Sequence, residues 1–218
     1  MTPHPFACSR RTTPRMSPAS FMHVWRQRGV SLIVVLILLV IISILGIGAA
    51  QLSMMGERGS RNERDMQIAW QGAEAALMDA EFDMRGPGTS SRMSVFTQSD
   101  SSAFVLGSCG ASTSDNSVGL CDPSTVTGKP LWLSTDLAAD NPSATLYGTF
   151  TNRAFTAGAD GLQPAKKPRY IIEVLPDQNA FGDASGLAPK KFVYRVTAMG
   201  FGPRADIQAV TQMLFRKE

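Results

Sequence analysis

An uncharged stretch at positions 30 to 50 follows directly on the basic junction Arg26-Gln27-Arg28-Gly29. As an α-helix these 21 residues would extend about 30 Å, the thickness of a bilayer's hydrocarbon core. The sequence therefore predicts one transmembrane helix. The residues before it include five arginines and no acid. The positive-inside rule thus predicts a cytoplasmic N-terminus and an exported C-terminal part.

Two general interpretations of this segment stay open. A secretory signal peptide also combines a basic start with an apolar core, and cleavage after Gly48-Ala49-Ala50 would suit it, although its apolar core is usually only about 7 to 15 residues long. A plain uncleaved anchor is the other interpretation.

The start of translation is also open, because Met22 would leave a short leader ending at Gly29, whereas residues 1–21 are rich in Ser, Thr, Pro and Arg.

The junction resembles the processing site of type IV prepilins, in which a basic leader ends in Gly and a dedicated peptidase cuts before the apolar helix. The match is Arg28-Gly29-Val30-Ser31-Leu32-Ile33-Val34-Val35-Leu36. The resemblance implies cleavage between Gly29 and Val30, with Val30 as the mature N-terminus and its N-methylation left open. The chain departs from the general pattern at Val34, where pilins usually carry Glu. Family members without that Glu include the PilX-type minor pilins and the K-type pseudopilins.

A second segment, Glu63 to Leu77, resembles the N-terminal pattern of PilX-type minor pilins, most closely in its A-x-x-x-A-E-A-A-L core at positions 69 to 77. The resemblance covers roughly Arg26 to Glu81 and recurs weakly at Tyr194 to Gly200. It implies a subunit that primes pilus assembly, sits at or near the fibre tip and supports adhesion or motility. The implied partners are the prepilin peptidase, the inner-membrane assembly platform, the other minor pilins, the major pilin and a large tip adhesin.

The same resemblance implies a place in the inner membrane first, as a single-pass precursor with a periplasmic head, and then in the extracellular pilus. Two alternatives remain. One is a K-type pseudopilin of a type II secretion system, which normally carries a larger helical insertion than this sequence suggests. The other is a bitopic inner-membrane protein with a periplasmic binding domain.

The chemistry of the exported part argues against an enzyme. The chain's two histidines, His4 and His23, both lie in the leader, so a mature chain from Val30 has none. It cannot build a Ser-His-Asp or Cys-His site, and zinc sites usually need His as well. No phosphate-binding glycine motif or nucleophile elbow is present. We therefore expect no catalytic residue, no cofactor and no metal.

Charged clusters in the exported part have ordinary interpretations. Without the leader's five basic residues the chain has 16 basic and 18 acidic side chains, a net charge of −2. The pairs Glu81 with Asp83 and Asp136 with Asp140 are interpreted as solvated acids. The basic clusters Lys166-Lys167-Pro168-Arg169 and Lys190-Lys191 are interpreted as a solvated strand edge, which argues against nucleic-acid binding. Calcium binding by Asp115, Asn116 and Asp122 is weakly supported because no EF-hand spacing exists.

Cys109 and Cys121 form an even pair in the exported part, where disulfides persist. The loop between them is rich in Ser, Gly, Asp and Asn. A disulfide that closes a loop of this size raises the free energy of unfolding by about 3 kcal/mol in the chain-entropy model. We predict a structural disulfide. Two sulfur atoms alone would not complete a tetrahedral metal site.

Five segments follow from the pattern: a leader (1–29), a transmembrane helix half (30–50), an amphipathic helix half (51–85), a loop-rich head region with the Cys loop (86–165) and a C-terminal sheet (166–218). The amphipathic half carries an apolar stripe at helical spacing, and Gly86-Pro87-Gly88 ends it. We expect this stripe to pack on the head: Met66, Ala69, Trp70, Ala73, Leu77, Ala80 and Met84.

The last fifty or so residues predict three β-strands, at Tyr170 to Leu175, Lys191 to Met199 and Ile207 to Phe215, with a turn at Gly200-Phe201-Gly202-Pro203. The loop-rich region has apolar islands around Val105, Trp132 and Leu146 that predict one or two short strands or helical turns. The predicted fold is α+β, a long N-terminal helix on a C-terminal antiparallel sheet, which is the pilin architecture.

Overall fold

The computed structural model describes residues 30–86, 91–114, 116–140, 143–155, 161–177 and 191–217. The predicted leader, with Gly29, lies outside the described residues. In chain order the elements are α1 (Val30–Arg85), β1 (Val105–Leu106), β2 (Leu120–Asp122), a 3-10 turn (Pro123–Thr125), α2 (Leu131–Ser134), β3 (Thr145–Leu146), β4 (Arg169–Pro176), β5 (Phe192–Phe201) and β6 (Gln208–Phe215).

The chain divides into two compact units, Met1–Leu52 and Ser53–Glu218. The described part of the first unit is the beginning of α1. It is long and apolar enough to cross a membrane, and its large apolar side chains are exposed. The hydroxyl of Ser43 donates to the carbonyl of Leu39, so this polar side chain is satisfied within the helix.

The second unit packs the remainder of α1 on one face of a six-stranded sheet with the order β1-β2-β4-β5-β6, in which β3 also pairs with β4. The three long strands β4, β5 and β6 are antiparallel neighbours, as predicted. The sheet as a whole is mixed, however, because β1 and β2 lie parallel to each other and β2 lies parallel to β4. The predicted C-terminal antiparallel sheet is therefore confirmed, and the short strands extend it into a mixed sheet.

The short strands explain the difference. The strand β2 was not predicted, since three residues within a polar loop give no alternation to detect. It pairs Leu120 with Ile172 and Cys121 with Glu173, while β3 occupies the adjoining stretch of the same edge of β4. The three predicted apolar islands become β1, α2 and β3. In addition, β5 continues to Phe201, so the turn before β6 begins later than expected.

The main core lies between α1 and the inner face of the sheet. The helix contributes Ala76, Ala80 and Met84, and the strands contribute larger side chains, among them Tyr170, Ile172, Tyr194 and Val196. Phe96 and Phe104, from the loop region, pack edge-to-face with each other and close this core. A second cluster on the opposite face of the sheet contains Cys121, Leu131, Leu137, Ala144 and Ile171.

The buried face of α1 differs from the predicted stripe. Trp70 is 49 % exposed and Met66 is 40 % exposed, so their assignment to the packed face was wrong. Small and acidic residues lie there instead, because the helix approaches β5 too closely for a large side chain. A Cβ atom built at Gly200 would come within 2.0 Å of the Ala69 carbonyl oxygen. The buried helical residues are Ala69, Gly72, Ala73, Ala76, Asp79, Ala80, Asp83 and Met84.

Candidate functional site

A buried ionic cluster joins the end of α1 to the loop region and the sheet. We define it as Asp79, Asp83, Arg92 and Tyr170. Nε of Arg92 donates to Oδ2 of Asp83 at 3.0 Å, and the Tyr170 hydroxyl donates to the same oxygen at 3.1 Å. All four residues are essentially inaccessible to solvent. A buried charge pair is tolerated when each group is hydrogen-bonded, and here three elements supply the partners.

The Arg92 guanidinium also makes hydrogen bonds to main-chain carbonyls and contacts an aromatic ring. Its Nη1 donates to the carbonyls of Val118 at 2.6 Å and Asn116 at 3.0 Å, and its guanidinium lies 3.7 Å from the centroid of the Phe150 ring. Bonds to two main-chain carbonyls use donors that the carboxylate leaves free. The Arg92 side chain therefore fixes the loop that precedes β2 against the end of α1.

Asp79 occupies the neighbouring turn of α1 and holds a different loop. Its carboxylate accepts from the main-chain nitrogen of Gly148 at 2.8 Å and from the Thr151 hydroxyl at 2.5 Å. Burial raises the pKa of Asp79, and these two hydrogen bonds oppose the increase. Burial likewise raises the pKa of Tyr170 well above its usual value, with the nearby Asp83 charge acting in the same direction.

This cluster was missed by the sequence reasoning, which treated Asp83 as a solvated acid. That interpretation was wrong, since Asp83 is fully buried. One signal could have found it: Asp79 and Asp83 fall four residues apart on the same helical face as Ala76 and Ala80. A second pair was also missed on the outer face of the sheet, where Nε of the partly exposed Arg195 donates to the buried Glu173 at 2.8 Å.

The chemistry available to the cluster is structural. Its carboxylates are enclosed and already bonded, and within the described residues no three His, Cys, Asp or Glu side chains are grouped so as to hold a metal ion. Of the residues considered for calcium, Asp115 lies outside the described residues, and the carbonyl of Asn116 accepts from Arg92. The Asp122 side chain accepts from the main-chain nitrogen of Ser124 and caps the 3-10 turn.

Cys109 and Cys121 are joined in the structure, with a Cα separation of 4.2 Å. Cys121 lies in β2 and is buried, and both cysteines contact the second core cluster. The crosslink therefore fastens the loop before β2 to the sheet. Oxidation of this pair in exported protein remains a prediction.

The residues of the predicted processing site are only partly described. Val30 is the first residue of α1, and Val34 lies one turn further along with an exposed side chain. Gly29 lies outside the described residues. Cleavage before Val30 and the significance of an apolar residue at Val34 therefore stay as hypotheses.

The predicted basic edge is less solvated than expected. Arg169 is 7 % exposed and pairs with Asp140, and Lys166 donates to the carbonyl of Ala138 at 2.8 Å. The solvated interpretation was therefore wrong for Arg169, whereas its partner Asp140 is a solvent-exposed acid, as predicted. Lys190 lies outside the described residues.

Comparison with known families gives two matches that agree. The family model "Type IV pilus assembly protein PilX C-term" matches residues 105–217, and the model "PilX N-terminal" matches residues 28–77. The chain matches no curated protein and no solved structure.

Proposed function

The chain belongs to the PilX family of type IV pilus assembly proteins, and from this premise we propose that it is a minor pilin that primes fibre assembly and sits at or near the tip. The family is structural, and a role in pilus assembly follows from membership. Priming, tip position and support of adhesion or motility are the proposed refinements. The observation that carries the proposal is the apolar residue Val34 in an otherwise pilin-like helix.

The physical argument starts from the Glu that pilins usually carry at this position. That carboxylate is thought to neutralise the N-terminal amine of a subunit already in the fibre, an attraction strengthened by the low dielectric of lipid. A subunit that enters first has no such amine to neutralise. An unpartnered carboxylate would then cost several kcal/mol in an apolar environment. Val34 removes that cost and suits the first position.

The proposed life cycle has a membrane stage and a fibre stage. The prepilin peptidase removes residues 1–29, the inner-membrane assembly platform extracts the subunit, and the other minor pilins and the major pilin contact its α1. A large tip adhesin is the proposed partner of the head. The exposed apolar first half of α1 and the tightly packed second unit support this division of roles.

A K-type pseudopilin of a type II secretion system is the second candidate. Such proteins normally carry a larger helical insertion in the head. In the described part of residues 91–177, the helical elements are the four-residue α2 and one 3-10 turn. This observation favours the minor pilin. A bitopic protein with a periplasmic binding domain is disfavoured because the family is that of pilus assembly proteins.

The proposal is tested by locating the protein on intact pili. Immunogold labelling should mark one end of each fibre, quantitative blotting should find few copies relative to the major pilin, and deletion should abolish surface pili. The variant Val34→Glu supplies the matched comparison, since it should lower pilus number without lowering the amount of membrane-inserted subunit. Label spread evenly along the shaft would refute the tip position.

A further inference from the structure

The strand β6 lies at an edge of the sheet and has an open side. It pairs with β5, and within the described residues no strand pairs with its other side. The turn bond from the Gly202 nitrogen to the Ile207 carbonyl fixes which residues face β5. Because antiparallel pairs alternate, Ala209, Thr211, Met213 and Phe215 bond to β5. The main-chain groups of Gln208, Val210, Gln212 and Leu214 therefore point outward.

This edge lacks the usual protection. Natural sheets blunt long edges with lysine, proline, bulges or very short strands. The strand β6 is eight residues long and contains neither a charged residue nor a proline. On its outer face Val210 is 44 % exposed and Leu214 is 71 % exposed. By contrast, β1 at the opposite edge is only two residues long.

A basic cavity adjoins the C-terminal end of the same strand. It has a volume of about 380 Å³ and is lined by Arg85, Phe215, Arg216 and Lys217. The Arg85 guanidinium lies 5.1 Å from the centroid of the Phe215 ring. Arg85 also pairs with Glu81, and Arg216 pairs with Asp177.

Lys217 leaves the cavity with an excess of positive charge. Its Nζ donates to the main-chain carbonyls of Met93 at 2.7 Å and Met84 at 3.4 Å. Within the described residues no carboxylate pairs with it. Counting the described residues, three cations thus have two partner carboxylates, and the position next to the strand end favours an anion.

We propose that β6 binds, by strand addition, an extended segment of another exported protein that has apolar side chains at alternate positions and an acidic group at the end beside Phe215. The outward main-chain groups of β6 can pair with an added strand. Val210 and Leu214 favour apolar side chains on one face of that strand. The basic cavity favours a carboxylate at its end. A second copy of the chain is a poorer occupant, since β6 itself carries no acid. This inference goes beyond the proposed function and does not rest on a tip position.

The test uses the full-length protein in detergent micelles and a fluorescent peptide, Val-Thr-Val-Thr-Val-Glu with a free C-terminus. Fluorescence anisotropy should show saturable binding, and the same peptide ending in Lys-amide should bind at least about tenfold more weakly because the carboxylates are lost. Val210→Pro removes an outward donor without touching the β5 ladder and should weaken binding at least about tenfold. Thr211→Val is the control, because the main-chain groups of Thr211 bond to β5, and this variant should bind normally.

Hydrogen exchange provides the independent readout. In the free protein the amides of Val210, Gln212 and Leu214 should exchange much faster than those of Ala209, Thr211 and Met213, and the acidic peptide should slow them. Slow exchange of the outward amides in the free protein would mean that the chain covers its own edge, and it would overturn the proposal. Protection that rises with protein concentration would indicate a second copy and would equally overturn it. A failed pilus assignment would leave these results unchanged.

Discussion

The guanidinium of Arg92 and the carboxylate of Asp83, nine residues apart in the chain, form a fully buried ion pair with a separation of 3.0 Å between Nε and Oδ2. Asp83 lies in the last turn of α1, and Arg92 links it to the carbonyls of Val118 and Asn116. The ionic cluster thus connects the end of α1 to the loop region.

Removing one member of this pair should be costly. Arg92→Met would leave the Asp83 carboxylate buried without its cation, and we expect a loss of about 3 to 5 kcal/mol in the free energy of unfolding. Chemical denaturation of the full-length protein in micelles, followed by tryptophan fluorescence, measures it. The double variant Asp83→Leu with Arg92→Met should regain part of the loss.

The exposed pair Glu57 and Arg61 supplies the control, since it has the same charges on the solvent side of α1. Arg61→Met should change stability by less than about 1 kcal/mol. A loss at Arg92 no larger than the loss at Arg61 would show that the buried pair does not hold the head.

The close approach of α1 and β5 makes a second prediction. Gly200→Ala would place a methyl group about 2.0 Å from the Ala69 carbonyl oxygen and 2.2 Å from the Ala73 nitrogen, both backbone atoms that cannot turn aside. We expect a loss of at least about 1 to 3 kcal/mol, the usual cost of overpacking. Gly59→Ala is the matched control, because nothing lies within 4 Å of its added methyl group. That variant should be neutral or more stable by up to about 1 kcal/mol. Equal effects at both glycines would contradict the packing.

The titration of Asp79 gives a prediction with a definite sign. Its folded-state pKa is raised above 3.8 by burial, so the unfolded chain loses this proton first as pH rises. The stability contributed by the protonated group is complete below the unfolded-state pKa and is lost as pH rises through the folded-state pKa. The side chain of the Asp79→Asn variant cannot ionise, and its amide can still form hydrogen bonds with Thr151 and Gly148. Relative to this variant, the wild type should become less stable as pH rises from below 3.8 through the raised folded-state pKa. A constant difference across that range would refute the assignment.

The disulfide yields a prediction about exported protein. Mass spectrometry without reduction should find Cys109 joined to Cys121, and Cys121→Ser should lower the free energy of unfolding by about 2 to 4 kcal/mol. Membrane insertion should be unaffected, because the pair lies in the second unit. Wild-type protein treated with a reductant is the control and should match the variant. Two alkylatable thiols in exported protein would contradict the pairing.

The sequence predicted the features of this fold that depend on neighbouring residues better than those that depend on contacts between distant residues. The C-terminal end of α1 and the three long strands carry local patterns, namely helix-stopping residues and alternation, and the sequence predicted them nearly in full. Trp70 and Asp83 were misplaced, because helical periodicity gives a stripe but not the distance at which the sheet lies. Gly200 sets that distance, and it becomes informative only when β5 is placed beside Ala69. Arg92, the partner of Asp83, likewise reaches it only through the path of the loop after α1, which no local pattern in the sequence indicates.

The final prediction concerns processing, on which the pilus role depends. The basic leader and Gly29 precede an uncharged helix, so N-terminal sequencing of protein from piliated cells should begin at Val30. Gly29→Val should leave an unprocessed membrane precursor, since a branched side chain at the cut site blocks the close approach that glycine allows. Gly46→Ala, within the same helix and with open space around it, should be processed normally. Mature protein that starts after Ala50, or protein that keeps its leader in piliated cells, would remove the minor pilin assignment. The stability of the head would then be unaffected, because the ionic cluster, the disulfide and the α1–β5 contact all lie beyond Leu52.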